Sequence, residues 1–374
     1  MKKIKMLSAV GIFLMILTAC NNQKEQILSN QKSIGNMELK YAEQFSVEYY
    51  ENDISLVNIK DGRQYIIVPE DEEIPEGFPD SATVIKQPVE NIYISASSSV
   101  DLFNGINSLD SIYAVSTAKK DWSLPYIQNA MDSGKILYAG KYSSPDYEML
   151  LSGKCGLAVE STMIYHSPEI MELLESQGIP VIVERSSYEP HPLGRMEWIK
   201  LYGLILGKEK EAEEFFNEKS AVVENIESFG NTGKTAVFFY ITSNGSVNVR
   251  KTGDYISKMI ELAGGNYILN AESLNVEENA LSTINMQFEA FYSLAKDTDY
   301  LIYNSTVDGQ LDTLDQLIEK NSLLADFKAV QNGDVWCTDK NMFQQTTATA
   351  EVISDFNKIF SESTEDTEFI YHLS

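Results

Sequence analysis

Between Phe45 and Pro69, apolar and polar residues alternate through three short runs, "FSVEYY", "ISLVNI" and "RQYIIVP", with Asp61-Gly62 before the last. A side-chain period of two around an Asp-Gly turn predicts a small β-hairpin element. The segment that follows, "PEDEEIPEGFPDS", is acidic and proline-rich and predicts a loop. The rhythm then changes. "NIYISAS", "IYAVS", "KILYAG", "GLAVES" and "IPVIVE" read as buried strands, separated by the helical runs "VDLFNGI", "SPDYEMLLSG" and "SPEIMELLESQG". Ser144-Pro145 and Ser167-Pro168 each place a hydroxyl and a first-turn proline at a helix start. Asp146 and Glu169 follow, favourable at the positive helix end.

The stretch from His191 to Gly230 is almost wholly helical in pattern. Ala212, Phe215, Phe216, Val222, Val223 and Ile226 fall on one stripe, with Glu209, Glu213, Glu214, Glu218 and Glu227 largely elsewhere. Strand–helix alternation then resumes with "TAVFFYIT", "DYISKMIELAGG", "DYLIYNS", "LDTLDQLIEKN", "DVWCT" and a terminal helix in "TATAEVISDFNKIF". Such alternation predicts parallel sheets with right-handed crossovers. The expected fold is α/β: two Rossmann-like lobes, residues 45–190 with the leading hairpin and residues 231–374, joined by a single long rigid helix within 191–230.

The chain opens "MKKIKMLSAVGIFLMILTACNNQ". Its apolar run, Met6 to Leu17, is shorter than the ~20 residues that cross a bilayer. Lysines before it and small residues after it give the order of an export signal. Leu17-Thr18-Ala19-Cys20 resembles the bacterial lipobox, which implies removal of residues 1–19, lipidation of Cys20 and a tether over residues 20–44. A diacyl group supplies the two chains that stable anchoring requires. An ordinary secretory signal with an incidental cysteine is the plainer alternative.

Charge narrows the partners. The chain carries a formal −26, and loss of residues 1–19, with three lysines and no acids, leaves −29. That argues against nucleic acid and against direct adhesion to anionic lipid. Cys155 and Cys337 are the only other cysteines, both in strand-like runs, so two buried thiols fit better than a bridge. Three scattered histidines are poor material for a site gripping bare zinc or manganese. No metal ligand and no intrinsic cofactor is assigned.

The order of elements from Phe45 to Phe360 resembles the class III substrate-binding lipoproteins of ABC importers, which carry ferric siderophores, haem and cobalamin. "HPLGRMEWIKLYGLILGKEKEA" looks like the PLGR-x-EW run that begins the helical crossing in the iron-chelate branch. "MIELAGGNYI" looks like the helix–Gly-Gly–Asn element of the second lobe. The resemblance implies a monomeric, non-enzymatic protein on the outer face of the cell membrane. It would deliver a metal chelate, foremost a ferric siderophore, with haem or a corrinoid as alternatives, to a permease driven by its ATPase. It further implies that Glu148 and Glu289, one per lobe, dock onto the permease. Lys154-Cys155-Gly156 and Thr298-Asp299-Tyr300 depart from the family's proline-aspartate pairs, and either glutamate could instead be an ordinary solvated helix carboxylate.

Ligands of open α/β sheets bind beyond the carboxyl ends of strands. With a stiff connection between lobes, the expected pocket is largely preformed. Position therefore selects Ser97, Lys119, Trp122, Tyr142 and Met163 in the first lobe, and Asn244, Arg250, Tyr255, Asn304 and Gln344 in the second. Aromatic faces with a few positive groups fit a large planar or anionic chelate. Arg195 joins this set, although it could simply pair with a neighbouring loop carboxylate. The bland reading of each residue is core packing or solvated surface.

Two motifs tempt and fail. "GNTGKT" lacks the first glycine of a phosphate-binding loop, since Ser228 stands there, and a strand follows it. Ser116-Thr-Ala-Lys119, Ser246-Val-Asn248 and Lys251-Thr-Gly253 spell penicillin-recognising motifs in order, but the first follows a strand and the last two lie too close together. A lipid-anchored serine acyl-transfer enzyme remains a remote alternative, and bare-metal capture a third.

Overall fold

The computed structural model describes residues 32–374. The signal segment 1–19, Cys20 and the first part of the tether lie outside the described residues. Three sheets, with a two-stranded ribbon at Gly140–Lys141 and Ser144–Pro145, organise the rest.

The leading element is larger than the expected hairpin. Strands Gly35–Asn36, Phe45–Tyr49, Ser55–Ile59, Gln64–Pro69 and Thr83–Gln87 pair in chain order, the last two parallel and the others antiparallel. One face sends Phe45, Val47, Val57, Ile59, Tyr65 and Ile67 into the main core. The other buries Leu56, Ile66 and Val68 with Tyr50, Ile54 and Phe78. Both faces are covered, which is why "YIIV" reads as a continuous apolar run.

The first lobe holds a five-stranded parallel sheet in the order Val181–Glu184, Leu157–Ser161, Ile92–Ile94, Ile112–Val115, Leu137–Tyr138. The winding direction reverses between Ile92–Ile94 and Leu157–Ser161. One face packs Ile92, Ile94, Leu157 and Val159 into the main core. The other packs Tyr93, Ala158, Val181 and Val183 beneath Leu150, Met171 and Leu174 of the helices Tyr147–Ser152 and Pro168–Ser176. In the second lobe, Thr235–Ile241, Tyr300–Tyr303 and Val335–Thr338 run parallel at the centre of a seven-stranded sheet. Antiparallel strands Val247–Arg250, Thr283–Met286 and Ile370–His372 extend its sides. Cys155 and Cys337 are free and buried.

The predicted crossing from 191 to 230 is two helices, Pro192–Leu206 and Glu209–Glu227. The break has a local cause. Gly207 adopts φ 67°, and the Lys208 N–H returns to Gly203 O at 2.7 Å, closing a left-handed cap. The helices then fold back on one another, and a Cβ on Gly203 would lie 2.6 Å from Ala212 Cβ, so only glycine permits the approach. Every residue of Pro192–Leu206 except Arg195 is buried. The connecting stretch is therefore Glu209–Glu227 alone. It lays Ala212, Phe216, Val223 and Ile226 inward and packs on both Pro192–Leu206 and the terminal helix Thr349–Phe360.

The helix Pro192–Leu206 also anchors the chain ahead of the first lobe, so the tether ends earlier than residue 44. Glu197, with no exposed surface, accepts the backbone N–H groups of Lys40 at 2.9 Å, Tyr41 at 2.8 Å and Ala42 at 2.8 Å. Lys200 Nζ stands 3.1 Å from the same carboxylate and donates to Glu38 O at 2.9 Å. Glu189 accepts from Glu43 N, Gln44 N and Trp198 Nε1 at 2.8, 2.9 and 3.0 Å. A Cβ on Gly194 would meet Tyr41 O at 2.8 Å. The glycine, glutamate and tryptophan of "PLGRMEW" thus seat the chain that leads into Phe45–Tyr49.

Glu197→Ala leaves three backbone donors without an acceptor, and urea denaturation should show a loss of about 3 kcal/mol. His191 caps the same helix, its Nδ1 accepting from Leu193 N at 3.2 Å and its ring stacked 4.4 Å from Tyr41. Burial, then the charge of Lys258, lowers its pKa to about 4. The folded protein keeps this ring neutral while the unfolded chain protonates near pH 6.5, so stability falls as pH drops from about 6.5 to about 4. His191→Asn, which retains a cap, should shrink that pH dependence by up to one proton in melts across this range.

Candidate functional site

The lobes meet where strands of both central sheets end. Arg195, the single residue of its helix that is not buried, donates from Nη1 to Ser186 O at 3.3 Å. Its guanidinium lies 4.0 Å from the centre of the Tyr255 ring in the opposite lobe. Tyr255 opens the helix Tyr255–Leu262, which Asp254 caps by accepting from Ile256 N at 3.0 Å. Arg250, at the end of Val247–Arg250, stands 3.6 Å from Asp254 Oδ1, with its guanidinium 5.8 Å from the Tyr255 ring and 5.0 Å from Phe343. The Tyr255 ring thus has two arginines close to it. Burial pushes the Tyr255 hydroxyl up, and the two guanidiniums oppose that shift. Glu184 is buried nearby; its pKa is raised by burial and lowered in part by Ser186 and Arg195.

A second set of contacts crosses the boundary. Gln344 Nε2 donates to Asp121 O at 2.8 Å, and its Oε1 accepts from Ser123 N at 2.7 Å. Thr346 Oγ1 donates to Ser98 O at 2.7 Å. Thr347 donates to Asp101 Oδ2 through its backbone N at 2.8 Å and through its hydroxyl, while the Tyr126 hydroxyl donates to Asp101 Oδ1. Asp101 has no exposed surface, and burial raises its pKa against these three donors.

The structure corrects the expected preformed pocket at this place. The cavity lined by Arg195, Tyr255, Met259, Met342, Phe343 and Thr346 holds about 20 Å³, room for a water molecule rather than a chelate. Larger hollows lie elsewhere. One of 540 Å³ sits between the leading sheet and the first lobe, lined by Arg63, Gln64, Thr83, Glu175 and Pro180.

Of the eleven residues placed in the pocket, Arg195, Arg250, Tyr255 and Gln344 come to the lobe boundary, while Met163 is 49% exposed. Trp122 does not present its face there. It is 2% exposed and its Nε1 donates inward to Thr117 O at 3.1 Å, although its neighbours Asp121 and Ser123 hold Gln344. Tyr142 is half-buried against the far-face cluster around Tyr93 and Leu150. Lys119 pairs with Asp132, Asn244 closes a turn with Ser246, and Asn304 caps the helix Ser305–Asp308. Ser116 donates to Ser95 O at 3.3 Å rather than to Lys119, so the penicillin-type motif does not assemble. Glu148 and Glu289 both stand exposed in the first turn of a helix, Tyr147–Ser152 and Phe288–Ala295. Asp101 and Thr347 were not anticipated, since an acid near the start of "VDLFNGI" reads as an ordinary first-turn residue.

Residues 92–342 match the model of the family described as periplasmic binding protein. The chain belongs to the periplasmic binding protein family. The match begins at Ile92, so the leading sheet lies outside it. An uncharacterized lipoprotein of Methanocaldococcus jannaschii is 25% identical, covering 95% of this chain and 92% of its own length. Among solved structures, the periplasmic haem-binding protein HutB of Vibrio cholerae superposes with a TM-score of 0.57 at 16% identity, over 71% of this chain and 97% of that one. The catecholate-siderophore binding protein VctP of the same organism gives 0.59 at 16% identity, over 81% and 99%. The petrobactin-binding protein YclQ of Bacillus subtilis gives 0.59 at 13%, over 84% and 99%. The α/β two-lobe fold and the resemblance to substrate-binding proteins of ABC importers are borne out at this level.

Gln344→Ala removes both amide contacts to the first lobe. Hydrogen exchange at the Ser123 amide should accelerate about tenfold, the equivalent of one to two lost hydrogen bonds.

Proposed function

We propose that the chain is a lipid-anchored, extracytoplasmic solute-binding protein that captures an anionic metal chelate, foremost a ferric siderophore, and hands it to an ABC permease. The observation that carries this reading is the pair of guanidiniums, Arg195 and Arg250, at 4.0 and 5.8 Å from the centre of the Tyr255 ring where the lobes meet. Arginine forks match carboxylate and other oxyanion edges, and an aromatic face suits a planar or polycyclic guest. Proteins of similar fold bind haem, a catecholate siderophore and petrobactin, which supports the class of guest. Lipidation at Cys20 is supported by the lipoprotein relatives.

Loading needs the boundary to part. Arg195 leaves the Tyr255 ring, Gln344 gives up Asp121 and Ser123, and the guest takes the place of these contacts. Glu148 and Glu289, exposed on separate lobes, are the proposed permease contacts.

Purification from the native host, with absorbance and mass spectra of what co-elutes, separates the guests by a ferric charge-transfer, Soret or corrin spectrum. For the guest so identified, Arg195→Ala and Arg250→Ala should each weaken binding at least tenfold in tryptophan-quenching titrations. Unchanged affinity in both variants overturns the anionic site. Cys20→Ser should release the protein from salt-washed membranes. Glu148→Ala with Glu289→Ala should abolish uptake while leaving binding intact.

A further inference from the structure

The reversal of winding between Ile92–Ile94 and Leu157–Ser161 marks the place where open α/β sheets hold ligands. On the face turned from the main core, this place collects buried polar groups whose only polar neighbours are one another and Ser116. Tyr93 and Ser95 sit two residues apart and so project to the same side. The register pairs Val159 with Ile94, which sets Glu160 beside Ser95. Tyr147 begins the helix that covers this face. The Tyr93 hydroxyl, the Ser95 hydroxyl, the Tyr147 hydroxyl and both oxygens of Glu160 are buried without a hydrogen-bond partner. Glu160 and Tyr93 have no exposed surface, and Ser95 is 8% exposed.

A buried carboxylate must be protonated, paired or coordinated to a cation, because an isolated buried charge is costly. Among the described residues, no lysine or arginine forms a salt bridge with Glu160. The groups that act on it and on its neighbours are Ser95, Ser116, Tyr93, Tyr147, Cys155 and Glu169, none of them cationic. The donors are all oxygen and carry a single formal charge. Oxygen-only sets suit hard cations, and one charge balances one.

We propose that Glu160, Tyr93, Ser95 and Tyr147 form a binding site for a small monovalent cation, sodium- or potassium-sized, inside the first lobe. The cation would tie the central strand of the sheet to Leu157–Ser161 and to the helix above them. This site is separate from the lobe boundary and does not depend on the guest bound there. Burial raises the Glu160 carboxyl to about 7, which a bound cation would reverse.

The test uses the purified chain dialysed into N-methylglucamine chloride at pH 8, then titrated with NaCl or KCl at constant ionic strength. One of the two salts should raise the melting temperature saturably, by about 5 °C at a hundredfold excess over Kd. Glu160→Gln, isosteric and uncharged, should melt at or above wild type in N-methylglucamine and respond to neither salt. Equal melting in all three salts overturns the site, as does a full response in Glu160→Gln. Stability that rises from pH 8 to pH 5 with no cation dependence also overturns it, since that is a protonated carboxyl alone. Should Glu160→Gln fail to fold, Tyr93→Phe must weaken the cation response at least tenfold, and an unchanged response refutes the assignment.

Discussion

The carboxylate of Glu197 ties the chain ahead of the first lobe to the buried helix on which both lobes rest. Three consecutive backbone N–H groups, from Lys40 to Ala42, end on it. A buried charge is tolerable only when its lone pairs are filled, and here backbone dipoles and Lys200 fill them. The consequence reaches in two directions. The leading sheet is fixed to the helix Pro192–Leu206, and that helix can be buried nearly all round because its two interior charges, Glu197 and Lys200, are satisfied. Its neighbour Glu209–Glu227 then has a rigid surface to fold back upon, at the glycine contact between Gly203 and Ala212.

This arrangement bears on how the lobes are related. A lone strut could bend at either end. A helical hairpin whose first arm is embedded in one lobe, and whose second arm packs on the terminal helix of the other, resists bending along its length. Only Arg195 escapes burial on the embedded arm, and it is aimed across the boundary. The same helix therefore sets both the spacing of the lobes and the position of a charge between them. Net charge does not oppose an anionic guest there. Fields beyond about 8 Å are screened at physiological salt, so the distant acidic surface matters less there than the local groups, Arg195 and Arg250 with Asp254 and Glu184 beside them.

Much of this was legible in the sequence. The strand–helix alternation marked both central sheets because buried parallel strands are short apolar runs between helices. The expected serine caps do not form: Ser167 makes no side-chain cap, and Ser144-Pro145 is a short strand, with Asp146 capping the helix instead. Arg195, Arg250, Tyr255 and Gln344 could be placed near the boundary because they follow strand ends or open helices. Trp122 could not, since position along the chain says nothing of which way a side chain turns, and a donor at Thr117 O drew the indole inward. The extra strands Val247–Arg250 and Thr283–Met286 escaped notice because their interior is half polar, as "VNVR" and "TINM". The break at Gly207 was hidden by good helix formers on both sides. The tether was misjudged because Lys40 to Ala42 are held through backbone atoms, which leave no mark on residue type.

The contacts that close the boundary are weak enough to be exchanged. Gln344 and Thr346 contribute neutral hydrogen bonds, each worth about 1 kcal/mol net because water replaces them on opening. The Asp101 contacts are stronger, being charge-assisted, but two of its donors come from Thr347, in the segment that follows the Val335–Thr338 strand. Parting there leaves Asp101 with Tyr126 and solvent. Apolar contacts of Met196, Met259 and Met342 in the shared core add to these bonds, and a guest that binds only the open form loses the free-energy gap between the two states from its affinity. The stack of Arg195 on Tyr255 adds to that cost, because loading breaks it and the guest must replace the contact that both side chains give up.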